Sequence, residues 1–362
     1  IIDVADMTVG QMPTVDFSVT DPTNGDAPYD ILSDPEFTTC GGGASRIGIG
    51  IAFNTDDYTN TGSGGNPAQP IAMNPLACFG NPPAADLGGG VYRVTSPIPL
   101  PATATGTAAV TIDGHPAVDV DGTIERVPVT NVVEYVGIDG GAASDRRVVV
   151  DVQKCDDCHK QLSLHGNNRT DNPQVCVTCH NPNATDASKR VGGSECEIGR
   201  PPGTNGPDDP GVPGLGLDDM AVDMKYMIHA LHASGEVEVP YEVCGYGNSA
   251  HVFDFVYPGK LENCEGCHVV GEDTFYPVDP AEVLGTTVDV GADITSPIDD
   301  VVISPNTAVC STCHVSSLAS DHMMQNGGDY AAGKAADSTL ISSGVETCAI
   351  CHGPGRSADV KE

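Results

Sequence analysis

The chain has 362 residues and a formal net charge of −34, from 50 acidic against 16 basic side chains. An acidic excess on that scale argues against nucleic acid or anionic lipid as a partner, and no apolar run approaches the roughly 20 residues that span a bilayer as a helix. Aromatic residues make up 5 % and Trp is absent, while Gly (43) and Pro (28) are plentiful; such a chain needs disulfides, metals or large cofactors to fill its interior.

In chain order, residues 1–148 read as β structure. Thr14–Thr20 alternates in polarity and ends in the turn Asp21-Pro22-Thr23-Asn24-Gly25. Arg46–Phe53, Val91–Ser96, Ala108–Ile112 and Val127–Val136 are the further predicted strands. Short strands between Gly, Pro, Asn and Asp turns predict an all-β domain, a sandwich or split barrel, with surface loops at 61–70 and 80–90. Arg146–Val152 leads as an extended connection into a second domain, residues 149–362, expected to be loop-rich with short helices. A helix is predicted over Asp218–Ala233, a Pro/Gly loop over Pro201–Leu217, and a long excursion with some strand character over 277–306. The sequence opens at Ile1 and reads as a processed chain whose targeting segment has been removed.

Fourteen cysteines direct attention to that second domain. The pattern Cys-x-x-Cys-His occurs five times, at Cys155-Cys158-His159, Cys176-Cys179-His180, Cys264-Cys267-His268, Cys310-Cys313-His314 and Cys348-Cys351-His352. This is the attachment signature of haem c: two thiols bond the former vinyl groups and the adjacent His ligates iron. A redox dithiol or a zinc site uses CxxC but has no need of His after the second Cys. Five haems in so short a domain leave too little protein for an apolar core around each, so the haems themselves must form the core. Haem c is attached outside the cytoplasm, which implies an exported protein. The four remaining cysteines are then expected to pair, most simply as Cys40–Cys78 and Cys196–Cys244. Asp-rich turns at Asp56-Asp57 and Asp299-Asp300 offer oxygen ligands for Ca²⁺, although no stretch fits an EF-hand loop.

Six histidines lie outside the motifs. His165, His229, His232, His251 and His322 fall within the haem-bearing part and are the candidates for a second axial ligand. His229 and His232 form an HxxH pair on one helical face. His115, in Asp113-Gly114-His115-Pro116, stands apart and reads as structural. Two strong ligands close the iron's coordination and favour outer-sphere electron transfer, whereas an open position admits substrates.

The segments Lys154–Gly166 and Asn172–Pro182, followed by Met227–His232, Asn263–His268, His322–Gly328 and Glu346–Gly353, resemble the extracellular MtrC/OmcA-type decahaem cytochromes of metal-reducing bacteria. Members of that family repeat a β domain followed by a pentahaem domain, and this chain resembles one such half. The resemblance implies electron transfer at the cell surface, from redox partner proteins or an outer-membrane conduit to extracellular metal species or flavins. It also assigns His165, His229, His232, His251 and His322 to distal positions. Polymerisation of the chain into a cytochrome filament is a further expectation, because one unit carries electrons only across its own width. The competing reading is a pentahaem reductase of a small oxyanion with one open haem; against it, all five motifs end in His.

Overall fold

The structure is a computed structural model, and it describes residues 1–55, 57–58, 60, 69–79, 83–189, 219–237, 240–245, 249–271, 275–277, 283–336, 340–341 and 344–360. Over these residues the chain forms two compact units, one of residues 1–65, 69–147 and 151–179, the other of residues 148–150 and 180–362. The division between units falls inside the second CxxCH motif, between Cys179 and His180.

The first unit is built on two four-stranded antiparallel sheets. One runs in the order Asp3–Ala5, Thr14–Phe17, Val91–Thr95, Ala85–Gly88; the other runs Val132–Gly137, Thr107–His115, Arg46–Phe53, Ile71–Met73. Both contribute to one apolar core, with Val15, Phe17, Tyr92 and Val94 from the first sheet and Ile49, Ile51, Phe53 and Val110 from the second. On the first sheet Asp16 lies opposite Arg93 in register, and the two are joined at 2.6 and 2.7 Å.

The strand Arg46–Phe53 is covered on both faces. Its isoleucines enter the core, while its glycines admit side chains from the neighbouring strand: a Cβ at Gly48 would meet Asp113 Oδ1 at 2.7 Å, and one at Gly50 would meet Thr111 Oγ1 at 2.7 Å. Asp113 is in turn paired with Arg169. Asn131 and Thr170 exchange backbone and side-chain hydrogen bonds at 3.0 Å, and Gly114 N–H donates to the Asn168 carbonyl at 3.1 Å. The hairpin Ser163–Leu164/Arg169–Thr170, between the first and second motifs, is thereby fastened to the β unit. A helical turn, α1 (Pro35–Thr38), precedes Cys40, which is disulfide-bonded to Cys78 as expected.

The predicted strands are present, with two adjustments. The stretch 80–90, expected as a loop, contains the strand Ala85–Gly88, paired with Val91–Thr95 across left-handed glycines 88–90. The predicted strand Val127–Val136 begins only at Val132; Thr123–Arg126 instead closes a separate hairpin with Ala117–Val120. Residues 61–68 of the loop expected at 61–70, and the expected loop Pro201–Leu217, lie outside the described residues.

The second unit is loop-rich, with short helices and two-stranded ribbons. Its ribbons include Tyr241–Gly245/Ser249–Phe253 and Thr286–Asp289/Val301–Ile303, the latter within the excursion predicted to have strand character. Its buried apolar cluster is small, formed by Ala221, Val288, Ile303, Ala308, Met323 and Tyr330. Polar contacts supply further ties: the buried Lys334 ammonium donates to Asn183, Thr287 and, at 3.0 Å, Asp300. Cys244 is disulfide-bonded; its expected partner, Cys196, is outside the described residues.

Candidate haem sites

Every motif lies on or beside a helical turn, and for the first two the start is written locally. α2 (Val152–His159) follows Asp151, whose carboxylate accepts the Gln153 N–H, and carries the whole first motif. α3 (Pro173–Cys176) follows Asn172 in the same role, with Pro at its first position. The third motif opens on a 3₁₀ turn, Cys264–Gly266. α4 (Met224–Ala233) follows Asp223 and bears His229 and His232; it starts six residues later than expected because Asp223 is the cap. α5 (Pro305–Cys310) leads into the fourth motif, α6 (Ser317–Gln325) carries His322, and α7 (Ala349–His352) lies within the fifth. A helical turn sets Cys(i) and Cys(i+3) on one face, as two bonds to one porphyrin edge require. All ten motif cysteines are free of disulfides.

Five of the candidate histidines are held in the same way. The Nδ1 atoms of His180, His229, His232, His268 and His352 lie 2.7, 2.6, 2.8, 2.9 and 2.9 Å from the carbonyls of Val222, Lys225, Ile228, Val149 and Ala358. A carbonyl only accepts, so Nδ1 carries the proton and Nε2 keeps its lone pair, the tautomer a metal ligand needs. Burial pushes the His229 imidazole below its ordinary value, and nearby His232 acts in the same direction.

Two predicted distal rings sit across from motif rings. His229 and His268 have centroids 5.9 Å apart and planes inclined by 23°. His322 and His352 are 6.2 Å apart with planes at 81°. An imidazole nitrogen lies about 2.0 Å from a bound transition metal, so two rings across one iron have centres roughly 6 Å apart. Both pairs have that spacing.

The remaining candidates are placed differently. His159 and His314 are exposed. His165 is exposed on a turn with φ of 54°. His232 meets Phe255 and Tyr257 edge-on at 6.1 and 5.5 Å. His251 lies on the ribbon strand Ser249–Phe253 with Nε2 3.3 Å from Ser249 Oγ, and it departs from the Nδ1-to-carbonyl pattern. His115 is only 2 % exposed; its Nδ1 lies 3.2 Å from the Pro116 carbonyl, and its buried Nε2 has no hydrogen-bond partner. In the Asp-rich turns, Asp57 faces Arg146 and Arg147, Asp299 accepts the Ala292 and Asp293 N–H groups, and Asp300 pairs with Lys334.

The surroundings fit haem c. Large apolar side chains beside the motifs stand in the open: Leu318 is 80 % exposed, Val345 79 %, Val270 70 % and Ile350 68 %. Flat apolar macrocycles would take such surfaces out of water. Tyr276 is buried, its hydroxyl has no hydrogen-bond partner, and burial followed by Cys348 and Cys310 pushes its ionisation up. A buried phenol near two attachment cysteines suits an acceptor such as a haem carboxylate.

Short helices presenting paired cysteines, with ring pairs at metal-bridging distance, define a multihaem c-type cytochrome. The profile described as "Outer membrane cytochrome MtrC/MtrF-like, domains II/IV" matches residues 147–362. The chain belongs to this family of outer-membrane cytochromes, which places it at the cell surface. Among solved structures it is similar to the outer membrane decaheme cytochrome OmcA, with TM-score 0.53 and 18 % identity over 98 % of this chain and 48 % of that one. It is similar also to MtrC from Shewanella baltica OS185, with TM-score 0.54 and 18 % identity over 96 % of this chain and 50 % of that one. The chain thus spans about half the length of each, and at that identity the likeness is one of fold. No curated protein matches it. Among the described residues, no helix is long and apolar enough to cross a membrane.

Proposed function

We propose that this chain is a pentahaem electron-transfer module of the cell surface, with haem c at all five CxxCH motifs and two axial histidines at each iron. The observation that carries this reading is the pair of facing rings, His229 with His268 and His322 with His352, at 5.9 and 6.2 Å. Bound iron exchanges one electron between its ferric and ferrous states. The protein's part is to keep both axial positions filled and to orient imidazoles through carbonyl partners, as at His180, His229, His232, His268 and His352. The expected donors are redox partner proteins or an outer-membrane conduit, and the expected acceptors are extracellular metal species or flavins.

Pyridine-haemochrome analysis with electron paramagnetic resonance tests this. Five haems per chain, all low-spin, with rapid oxidation of the reduced protein by ferric chelates or flavin, are the expected result. A stoichiometric high-spin component would overturn the closed-coordination reading and favour reduction of a small oxyanion.

A further inference from the structure

Glu346 stands two residues before Cys348 of the fifth motif, yet its carboxylate is engaged some forty residues upstream. Oε1 accepts from Ser304 Oγ at 2.7 Å, from Thr307 N–H at 2.8 Å and from Thr307 Oγ1 at 2.7 Å. Oε2 accepts from Asn306 N–H and Asn306 Nδ2, both at 2.8 Å. The two backbone donors belong to the first turn of α5, the helix that ends on Cys310 of the fourth motif. Ser304 occupies the capping position of that helix but makes no side-chain cap. Its hydroxyl donates to Glu346 and accepts the Asp329 N–H at 2.9 Å. Glu346 therefore satisfies the open N–H groups that a local capping residue would ordinarily take.

The same short segment is clamped on its other side. Thr347 donates from N–H and Oγ1 to the Asn326 carbonyl at 2.9 and 3.1 Å, at the end of α6. Gly327, with φ of 87°, lies so close that a Cβ there would fall 2.1 Å from the Val345 carbonyl. Residues 345–347 thus join the helix bearing Cys310, the end of the helix bearing His322, and the start of the fifth motif. The carboxylate is thus seated on the first turn of the helix that ends on Cys310 and lies two residues from Cys348 in the chain.

We propose that Glu346 is a positioning residue shared by the fourth and fifth haem sites, fixing their separation and the His322–His352 pair while its charge favours the oxidised state of both. This rests on the reading that those two motifs carry haem. Reduction adds one electron from an external donor to each iron and makes or breaks no bond. A fixed negative charge nearby opposes that addition, so removing it raises the reduction potential.

The test uses the intact holoprotein carrying Glu346→Gln, which keeps the size and one acceptor oxygen but loses the charge. In a spectroelectrochemical titration, two of the five one-electron components should move upward together while the other three stay. The expected size is about tenfold in the reduction equilibrium, equivalent to about 59 mV for one electron. Thr307→Val, which removes one hydrogen bond and leaves the charge, should leave those potentials in place. Glu346→Asp keeps the charge but shortens the reach; it should hold both potentials low while altering the resonance signal of the His322–His352 iron. Should the Gln variant fail to assemble five haems, the Asp variant decides alone: an unchanged signal overturns the proposal. With five haems assembled, a Gln variant in which nothing moves, one component moves, or all five move uniformly also overturns it. Wild-type protein lacking haem at the fourth or fifth motif would instead overturn the underlying reading.

Discussion

Replacing His229 by Ala should leave the haem that Cys264 and Cys267 would attach, and His268 would ligate, without its second axial ligand. The ring centres of His229 and His268 lie 5.9 Å apart, and the His229 Nδ1 is committed to the Lys225 carbonyl at 2.6 Å. Its loss therefore removes one Nε2 ligand and leaves the motif histidine in place. About one fifth of the haem should become high-spin, because one iron of five loses its closed shell. His322→Ala should do the same to the haem that Cys348 and Cys351 would attach and His352 would ligate. The two variants are distinguishable by geometry. Planes inclined by 23° split the iron's two π-type d orbitals strongly, whereas planes at 81° leave them nearly degenerate. In frozen-solution resonance spectra, His229→Ala should delete a rhombic low-spin signal, and His322→Ala one with a very large principal g value. Added imidazole should restore low-spin character in both. Spectra that stay wholly low-spin, or two variants that delete the same signal, would refute the ligand assignment.

Lys334→Met should destabilise the protein by about 3–5 kcal/mol in chemical denaturation, because it leaves the Asp300 carboxylate buried without its cation; burial already pushes Lys334 down and Asp300 up. Adding Asp300→Leu should recover much of that loss, and a double variant no better than the single one would contradict the pairing. Arg93 hydrogen bonds hold the Asp16 carboxyl below its ordinary value of 3.8. Their contribution is complete above that value and is lost as pH falls through the lower folded-state value, so Arg93→Ala should flatten the acid limb of a stability-against-pH curve and leave its slope near neutrality unchanged. Replacing Cys40 and Cys78 by Ser should cost about 2–5 kcal/mol of stability and leave the haem spectrum intact, since the bridge lies in the β unit, where Cys40 is buried in the core.

Chemistry that depends on neighbours in the chain was legible from the sequence. Cys-x-x-Cys-His names its own cofactor because both thioether bonds and one axial ligand come from five consecutive residues. The strand Arg46–Phe53 was readable because Ile47, Ile49 and Ile51 alternate with residues of another face, and the family resemblance rests on similarly local segments. Helix starts at Asp151 and Asn172 are local as well, since an Asp or Asn side chain reaches the N–H two residues on. The strand Ala85–Gly88 was missed because its four residues are exposed and carry no alternating pattern; only pairing with Val91–Thr95 makes it a strand. Composition counted enough histidines, but only the tertiary structure set His229 against His268 and His322 against His352, across 39 and 30 residues of chain. The same holds for Lys334, whose acceptor Asn183 is 151 residues away, and for Glu346, which caps a helix 40 residues upstream. A covalent attachment motif is a property of a few adjacent residues. A second axial ligand, a buried ion pair or a cap supplied from elsewhere exists only once the chain has closed on itself.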